Sequence, residues 1–296
     1  MELGAECVPC ILLARCRELE KLIKDEEKRL KATLDLLNLY CKLVKHTLEG
    51  TVLATELFRF VKKVSGNPDP YFEEKVAANE AMKEVLPKAR ELVESARTDL
   101  EKLEVACKVA VYGNTIDPAV AGHSYDLSRA KEEISKVEFQ LNHVKEFYEY
   151  LKRLKKGTIV YLVDNAGEAV LDAVLVEVLK SLGFSVVVAV KGGSYQNDVT
   201  INDVEMTGLV NVADRIVSTG SDACSLLLDQ LSEEFVELVN KSDAVVAKGM
   251  AYFETPEVFL NAIRPPIFFL FMAKCQRVAR SLGVEVGSYV AYCRRR

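Results

Sequence analysis

Two polar side chains able to bind a cation stand directly after an apolar segment near the middle of the chain. Residues 159–163 are apolar or β-branched, which predicts a strand buried on both faces, and Asp164 and Asn165 follow it at once. In open α/β sheets, ligands bind at this carboxyl end of the strands. Gly167 permits close approach of a ligand, and the helical pattern starting near Glu168 points its partly positive amino terminus at the same place. This pattern indicates a hard metal ion beside a phosphate; the alternative is an ordinary strand-to-helix turn capped by Asp164.

A second polar loop follows the next predicted strand, residues 185–190. That loop contains a cation, a glycine and an amide–carboxylate pair: Lys191, Gly192, Asn197 and Asp198. Because neighbouring parallel strands end at the same edge of a sheet, we expect Asp164, Asn165 and Asp198 to surround one point. Three oxygen ligands with open positions suit Mg²⁺, Mn²⁺ or a related divalent ion. Lys191 is interpreted as a phosphate contact, with a surface lysine beside a turn as the alternative. The glycines do not form a dinucleotide-binding motif.

Two later strand ends also present polar groups. Ser221 and Asp222 lie in a turn of small residues, which suits a phosphate pocket and ordinary turn chemistry equally well. Lys248 ends an apolar strand predicted over residues 244–247. A cation is costly to bury there unless an anion accompanies it, so we predict that Lys248 binds phosphate. The alternative is a local ion pair.

The second half of the chain alternates strand and helix. Strands are predicted over residues 159–163, 185–190, 215–218, 244–247, 266–272 and 288–292. Helices are predicted over residues 170–182, 204–207, 225–231, 233–240, 256–261 and 275–282. A strand–helix–strand succession makes neighbouring strands parallel with right-handed crossovers. We therefore predict a Rossmann-like parallel-sheet α/β domain over residues 157–296.

The first half has a helical spacing of apolar residues and predicts an all-helical domain over residues 1–156. Within it, Pro87 is expected to break or kink the helix predicted over residues 71–110. A last long helix, capped by Ser124 or Asp126, is expected to run to the domain boundary. The predicted helical domain thus precedes the predicted sheet domain.

Composition excludes several classes of function. The chain has 296 residues, a net charge of −5 and an ordinary globular content of apolar residues, so its charge gives no support for non-specific nucleic-acid binding. Neither a membrane-spanning apolar run nor a signal-peptide pattern is present in the sequence. We expect a cytoplasmic protein with neither nucleic acid nor a membrane as partner.

Cys7 and Cys10 form the one closely spaced pair among eight cysteines. No second such pair and no suitably placed histidine accompanies them, which makes a structural zinc site the least favoured interpretation. The remaining interpretations are a redox-sensitive pair and simple packing of the first helix.

Several segments, taken in order along nearly the whole chain, resemble the metal-dependent damage-control phosphatases, once catalogued as a domain family of unknown function. The matching segments are Cys7-x-x-Cys10, Gly113-Asn114-x-Ile116-Asp117, VDNAGE from Val163, KGG with NDVT from Lys191, STGSD from Ser218, AKG from Ala247 with Phe253-Glu254, and Lys274-Cys275 with Val278-Ala279. The first two are similar to a CxxC-containing subfamily typical of archaea. The resemblance implies a divalent ion (Mn, Ni, Co or Mg) held by Asp164, Asn165 and Asp198. It also implies hydrolysis of small phosphate monoesters, such as damaged or misplaced sugar phosphates.

The expected reaction is metal-assisted phosphoryl transfer to water. Lys248 and Lys191 would stabilise charge on the phosphate, and Glu168 would either position water or support the metal ligands from behind. Whether Asp164 also attacks phosphorus stays open. The substrate, a small phosphorylated metabolite, is expected to contact further residues: Gly192, Asn197, Ser221, Asp222, Glu254, Asn114 and Asp117. The last two lie in a loop that would close over the substrate, with a helix-terminating turn as the alternative.

Two loops depart from the family pattern. Where the family commonly has Gln-Gly-Asn and Ala-Pro-Gly, this chain has Met250-Ala251-Tyr252 and Ala223-Cys224-Ser225. Because both loops would face substrate, the departures affect substrate choice rather than the metal site.

Two other functions stay open at the level of sequence. A Rossmann-like sheet also permits an S-adenosylmethionine-dependent carboxyl methyltransferase, although that activity does not explain the Asp-Asn and Asn-Asp pairs. A non-catalytic metabolite-binding or redox-sensing protein built around Cys7 and Cys10 is the second alternative. The sequence makes no prediction of oligomeric state.

Overall fold

The computed structural model describes residues 1–113 and 132–294, and within these ranges the strands form one seven-stranded sheet. The strands are β1 (Phe139–Asn142), β2 (Gly157–Leu162), β3 (Phe184–Val190), β4 (Arg215–Ser218), β5 (Ala244–Lys248), β6 (Ile267–Met272) and β7 (Tyr289–Arg294). Their order across the sheet is β1-β7-β6-β5-β2-β3-β4. All neighbours are parallel except β6 and β7, which are antiparallel. The predicted α/β class with a largely parallel sheet is confirmed.

The helices of the described residues surround this sheet. They are α1 (Cys7–Leu22), α2 (Glu26–Leu43), α3 (Gly50–Ser65), α4 (Phe72–Glu94), α5 (Asp99–Tyr112), α6 (Val144–Leu154), α7 (Glu168–Ser181), α8 (Glu233–Lys241), α9 (Met250–Phe253), α10 (Glu257–Ala262) and α11 (Gln276–Leu282). Residues 132–135 are also helical, and short 3₁₀ turns occur at Val204–Thr207, Leu209–Asn211 and Leu228–Gln230. Among these described helices, none is both long enough and apolar enough to cross a membrane.

Strand β2 is the point at which the chain changes direction across the sheet. From β2 the chain proceeds through α7 to β3 and β4 on one side, then returns to β5 and β6 on the other. The connections diverge at this position, which leaves a crevice beyond the carboxyl ends of β2 and β5. The fold therefore places a binding site where Asp164 follows β2.

The two faces of the sheet bury separate apolar cores. One core joins the sheet to α4–α7 through side chains such as Met82, Phe147 and Val174, and the other joins it to α8–α11. A third, smaller core, centred on Leu19 and Leu36, joins α1, α2 and α3. Each fully buried side chain of this kind contributes roughly 1.5–3 kcal/mol to folding. Helices α4 and α5 lie in the predicted helical domain, yet α5 packs against β6 of the sheet and both helices pack against α7.

The prediction of one continuous helix up to residue 156 is wrong. Strand β1 interrupts it and pairs with β7 at the edge of the sheet, so one strand comes from before the predicted domain boundary. Its four residues alternate between half-buried and exposed, and only the neighbouring strand stabilises so short a segment. The division into domains at residue 156 stays a prediction.

Two other local predictions differ from the structure. Helix α4 continues through Pro87 and ends at Glu94. Helix α5 begins a few residues later, where Thr98 forms a capping box with Glu101. The helix predicted over residues 225–231 is reduced to a single 3₁₀ turn. Capping and buried side-chain contacts, rather than propensity, decide these boundaries.

Candidate active site

Two loops at the carboxyl edge of the sheet are joined through their backbones. Asn165 and Asp198 form an isolated antiparallel bridge. The N–H of Val199 donates to the carbonyl oxygen of Asp164 at 2.9 Å, and the N–H of Ala166 donates to that of Asn197 at 2.9 Å. The structure therefore brings Asp164, Asn165 and Asp198 together, as expected from the order of the strands.

Both carboxylates of this pair are buried, with Asp164 8% and Asp198 5% exposed. Burial and the negative charges of Asp198 and Glu168 hold the pKa of Asp164 well above its usual range, although Lys274 and Lys191 oppose this rise. Burial also raises the pKa of Asp198 to about 6, against the charge of Lys191. Two crowded carboxylates of this kind are stabilised by a cation placed between them.

The donor atoms fit a hard divalent cation. Asn165 donates through Nδ2 to Asp164 Oδ2 at 2.9 Å, which leaves its amide oxygen as the atom of that residue able to bind a metal. With two carboxylates, this makes an all-oxygen set with room for water ligands, as Mg²⁺ and Mn²⁺ prefer. Across the described part of the chain, no group of three or more His, Cys, Asp or Glu residues is arranged to hold a metal ion. The candidate site therefore depends on the amide as its third donor.

Lys191 is buried beside the candidate metal ligands. Its Nζ lies 3.3 Å from Asp198 Oδ2, donates to the carbonyl oxygen of Ala223 at 2.5 Å and sits over the ring of Tyr252. The alternative of a surface lysine is therefore wrong, because only 2% of the residue is exposed. Lys191 does not line the cavity, so the predicted phosphate contact is replaced by an ion pair that restrains and partly neutralises Asp198.

Lys248 is fully buried and forms an ion-pair cluster instead of facing the cavity. Its ammonium donates to the carbonyl oxygen of Ala110 at 2.9 Å, to Asp172 at 2.7 Å and to Glu168. These three acceptors use all three ammonium donors, so the assignment of Lys248 to phosphate is corrected to the local ion pair. Glu168 is buried in this cluster and does not line the cavity, so it does not face the place where water would be positioned. It links the cluster to the site instead, because its Oε2 lies 3.5 Å from Asn165 Nδ2.

Other predicted substrate contacts have structural roles. Asp222 accepts hydrogen bonds from Arg59 and Lys62 of α3, which ties its turn to the helical half of the chain. Ser221 accepts through its carbonyl oxygen from the Gly192 N–H at 2.8 Å. Neither Ser221, Asp222 nor Gly192 lines the cavity beside the candidate ligands. Asn114 and Asp117 lie outside the described residues.

A cavity of about 1000 Å³ lies over the candidate metal ligands. Of the predicted site residues, those that line it are Asp164, Asn165, Asn197, Asp198, Glu254, Cys7 and Cys10. All eight cysteines are free thiols, and Cys7 accepts a hydrogen bond from the Gly4 N–H at 3.4 Å. The opposite wall comes from α1, α3 and the segment before α4, so both halves of the chain enclose the cavity.

Lys274 is one of the basic residues that line the cavity, with Lys21 and Arg277, and motif reasoning assigned it no role. It follows β6 by two residues, is exposed to the cavity, and its positive charge lowers the pKa of Asp164. The strand-end rule that selected Lys191 and Lys248 also applies to this position, and it would have identified Lys274. Among the lysines at strand ends, Lys274 therefore faces the cavity and Lys248 does not.

Gly249 makes room for the first candidate ligand. Its φ of +86° is a backbone conformation that side-chain-bearing residues rarely adopt, and a Cβ added there would lie 2.0 Å from Asp164 Oδ2. The carboxyl end of β5 therefore packs its bare backbone against the carboxylate that follows β2.

The sequence and structure match one family along nearly the whole chain. The model of the damage-control phosphatase ARMT1-like domain matches residues 4–290. A protein of Archaeoglobus fulgidus named damage-control phosphatase is 33% identical over 297 residues, covering 98% of this chain and 99% of its own. A protein of Pyrococcus horikoshii with the same name is 32% identical over 296 residues, covering 98% and 97%.

Comparison of folds gives the same result. The crystal structure of a DUF89 family protein from Pyrococcus horikoshii superposes with a TM-score of 0.85 at 31% identity, over 98% of both chains. The fold resemblance inferred from the sequence motifs is therefore confirmed at the level of the family. The chain belongs to the ARMT1-like damage-control phosphatase family.

Proposed function

We propose that this chain is a divalent-metal-dependent phosphatase that hydrolyses small phosphate monoesters. The main observation in support is the crowded pair Asp164 and Asp198, which lies with Asn165 at the base of a large cavity. Family relatives named damage-control phosphatase support the same activity class. The proposed substrates are sugar phosphates or damaged phosphometabolites.

Asp164, Asn165 and Asp198 would hold Mn²⁺, Ni²⁺, Co²⁺ or Mg²⁺ through oxygen atoms. When bound, such an ion supplies positive charge for the phosphate and lowers the pKa of a coordinated water. Lys191 keeps Asp198 in place, and Lys274 presents an ammonium to phosphate oxygens from the cavity wall. Glu168, hydrogen-bonded to the buried Lys248, orients the amide of Asn165.

The finer assignments belong to the same proposal. They are a cytoplasmic location, a small phosphorylated metabolite as partner with no role for nucleic acid or membrane, and membership of the CxxC-containing subfamily. Cys7 and Cys10 line the cavity and are proposed as a redox-sensitive pair, since their oxidation would change the shape of one wall. Asn197 and Glu254 are proposed substrate contacts because they line the same cavity.

The test is phosphate release by chelator-treated protein from a panel of sugar phosphates and an aryl phosphate. We expect no turnover without metal and restored turnover with Mn²⁺, Co²⁺, Ni²⁺ or Mg²⁺. Folded protein that releases no phosphate with any of these ions would contradict the proposal. Chelator-insensitive binding of S-adenosylmethionine would then favour the methyltransferase alternative, and binding of a sugar phosphate without turnover would favour a non-catalytic protein.

Replacement of Gly249 by alanine is expected to lower metal-dependent phosphate release by roughly 100-fold. The new Cβ must displace Asp164, since the space between them is only 2.0 Å, and small shifts of catalytic groups have effects of this size. Gly283→Ala is the matched control, because Gly283 has a φ of +67° with nothing within 4 Å of the added Cβ. Comparable losses in the two variants would mean that backbone strain, and not contact with Asp164, is responsible.

A further inference from the structure

Helix α4 directs two buried polar side chains, one turn apart, at the two loops of the site. Lys75 and Asn79 are 0% and 1% exposed, and neither lines the cavity. A spacing of four residues places them on the same face of the helix, about 6 Å apart along its axis. Burial of a polar group costs free energy of folding unless hydrogen bonds or ion pairs replace those made to water. The partners of Lys75 and Asn79 therefore indicate what the two side chains do.

Lys75 restrains the loop that follows Asp198. Its Nζ forms ion pairs with Asp69 Oδ2 at 2.6 Å and with Asp203 Oδ2, and the other oxygen of Asp203 accepts from the Thr200 N–H at 2.6 Å. Thr200 lies two residues after Asp198 and forms a bridge with Lys191. A chain of charged and hydrogen-bonded groups therefore connects α4 to the segment that bears one candidate ligand.

Asn79 restrains the other loop. Its Oδ1 accepts from the Gly167 N–H at 2.7 Å, two residues after Asn165. Gly167 has a φ of +80°, and a Cβ there would lie 3.0 Å from the Cβ of Ala78, so helix and loop are in direct contact. Asn79 Nδ2 has no hydrogen-bond partner among the described residues. A buried amide with an unused donor is unfavourable for packing alone, which points to the accepted hydrogen bond as its contribution.

We infer that Lys75 and Asn79 are positioning residues of the metal site: α4 holds the two loops at the spacing that lets Asp164, Asn165 and Asp198 share one divalent ion. The inference rests on the proposed function. The loops themselves are joined by a few backbone hydrogen bonds. A rigid helix that contacts both loops fixes the distance between them. Residues that orient metal ligands in this way typically change metal affinity by 10–100-fold when they are removed.

The test compares Mn²⁺ binding by isothermal titration calorimetry with thermal unfolding in chelator. The variants are Asn79→Ala and Lys75→Met combined with Asp203→Asn. The double variant severs the link to α4 without leaving Asp203 as an unpaired buried charge, and an asparagine there retains an oxygen for the Thr200 N–H. Lys83→Met is the control, since Lys83 lies on α4 but is exposed, and its ion-pair partner among the described residues is Glu80.

We expect both test variants to bind Mn²⁺ roughly 10–100-fold more weakly than the wild-type protein and the control to bind it equally well. Affinities within twofold of wild type in both variants, even with a lower unfolding temperature, would overturn the inference and leave the proposed function intact. A wild-type protein that binds none of the divalent ions would overturn the proposed function and this inference with it.

Discussion

Asp164→Asn is expected to abolish metal-dependent phosphate release, by more than roughly 100-fold, while raising the thermal stability of the metal-free protein. Loss of activity follows because the substitution removes the negative charge of a direct metal ligand. Even the removal of residues that only orient ligands typically lowers metal affinity or activity by about 10–100-fold. Stability rises because the ionised Asp164 is buried and repelled by Asp198 and Glu168, as the raised pKa of its carboxyl indicates. The isosteric amide keeps the shape that fits against Gly249 and removes the repulsion.

Two measurements check this prediction: phosphate release with saturating metal, and the unfolding midpoint in chelator by circular dichroism. Asp99→Asn is the control, because Asp99 is an exposed carboxylate in the first turn of α5, and its removal is expected to leave activity unchanged. An inactive Asp164→Asn protein with lowered stability would show that the carboxylate serves the fold. Full activity would remove Asp164 from the metal site.

Lys248→Met is expected to destabilise the protein by about 3–5 kcal/mol, as removal of one partner of a buried ion pair typically does. The substitution leaves Glu168 and Asp172 buried without their shared cation. Urea unfolding of the chelator-treated protein measures the loss. Lys241→Met is the control, because that lysine is exposed and its ion-pair partner in the described part of the chain is the exposed Glu237, so no resolvable change is expected.

The loss of unfolding free energy caused by Lys248→Met should become larger as the pH rises. Burial raises the pKa of Asp172 to about 6 even though Lys248 opposes this rise. An acid whose pKa is higher in the folded state favours folding when protonated, and this contribution is lost as the pH passes through the folded pKa. Without Lys248 the folded pKa of Asp172 rises further, so the variant continues to lose stability above pH 6, where the contribution of Asp172 in the wild-type protein has levelled off.

Unfolding of both proteins at pH 6 and pH 8 tests this dependence. Adding Asp172→Asn to Lys248→Met should recover part of the stability and flatten the pH dependence, because one of the two carboxylates that lost their shared cation is then neutral. A deficit that is independent of pH, or below about 1 kcal/mol, would contradict a buried ion pair and return Lys248 to the phosphate role expected from sequence.

Much of the sheet and of the metal site could be predicted from local patterns. Buried parallel strands are continuous apolar runs, and six of the seven strands were placed within two residues of their observed ends. Because parallel strands end at one edge, the polar residues after β2 and β3 were expected to meet, and Asp164, Asn165 and Asp198 do meet. These features depend on residues close to one another in sequence or on a general rule of sheet geometry.

The sequence by itself therefore determined the fold class and the positions of the candidate metal ligands. Only the tertiary structure decided that β1 forms a strand, that Lys248 is satisfied by Asp172, and that Lys274 faces the cavity. It also brought Lys75 and Asn79 of α4 onto the two loops. The pairing of an edge strand and the choice of partner for a buried charge depend on contacts between segments far apart in the chain. The stability of those contacts cannot be predicted from the residues near each position.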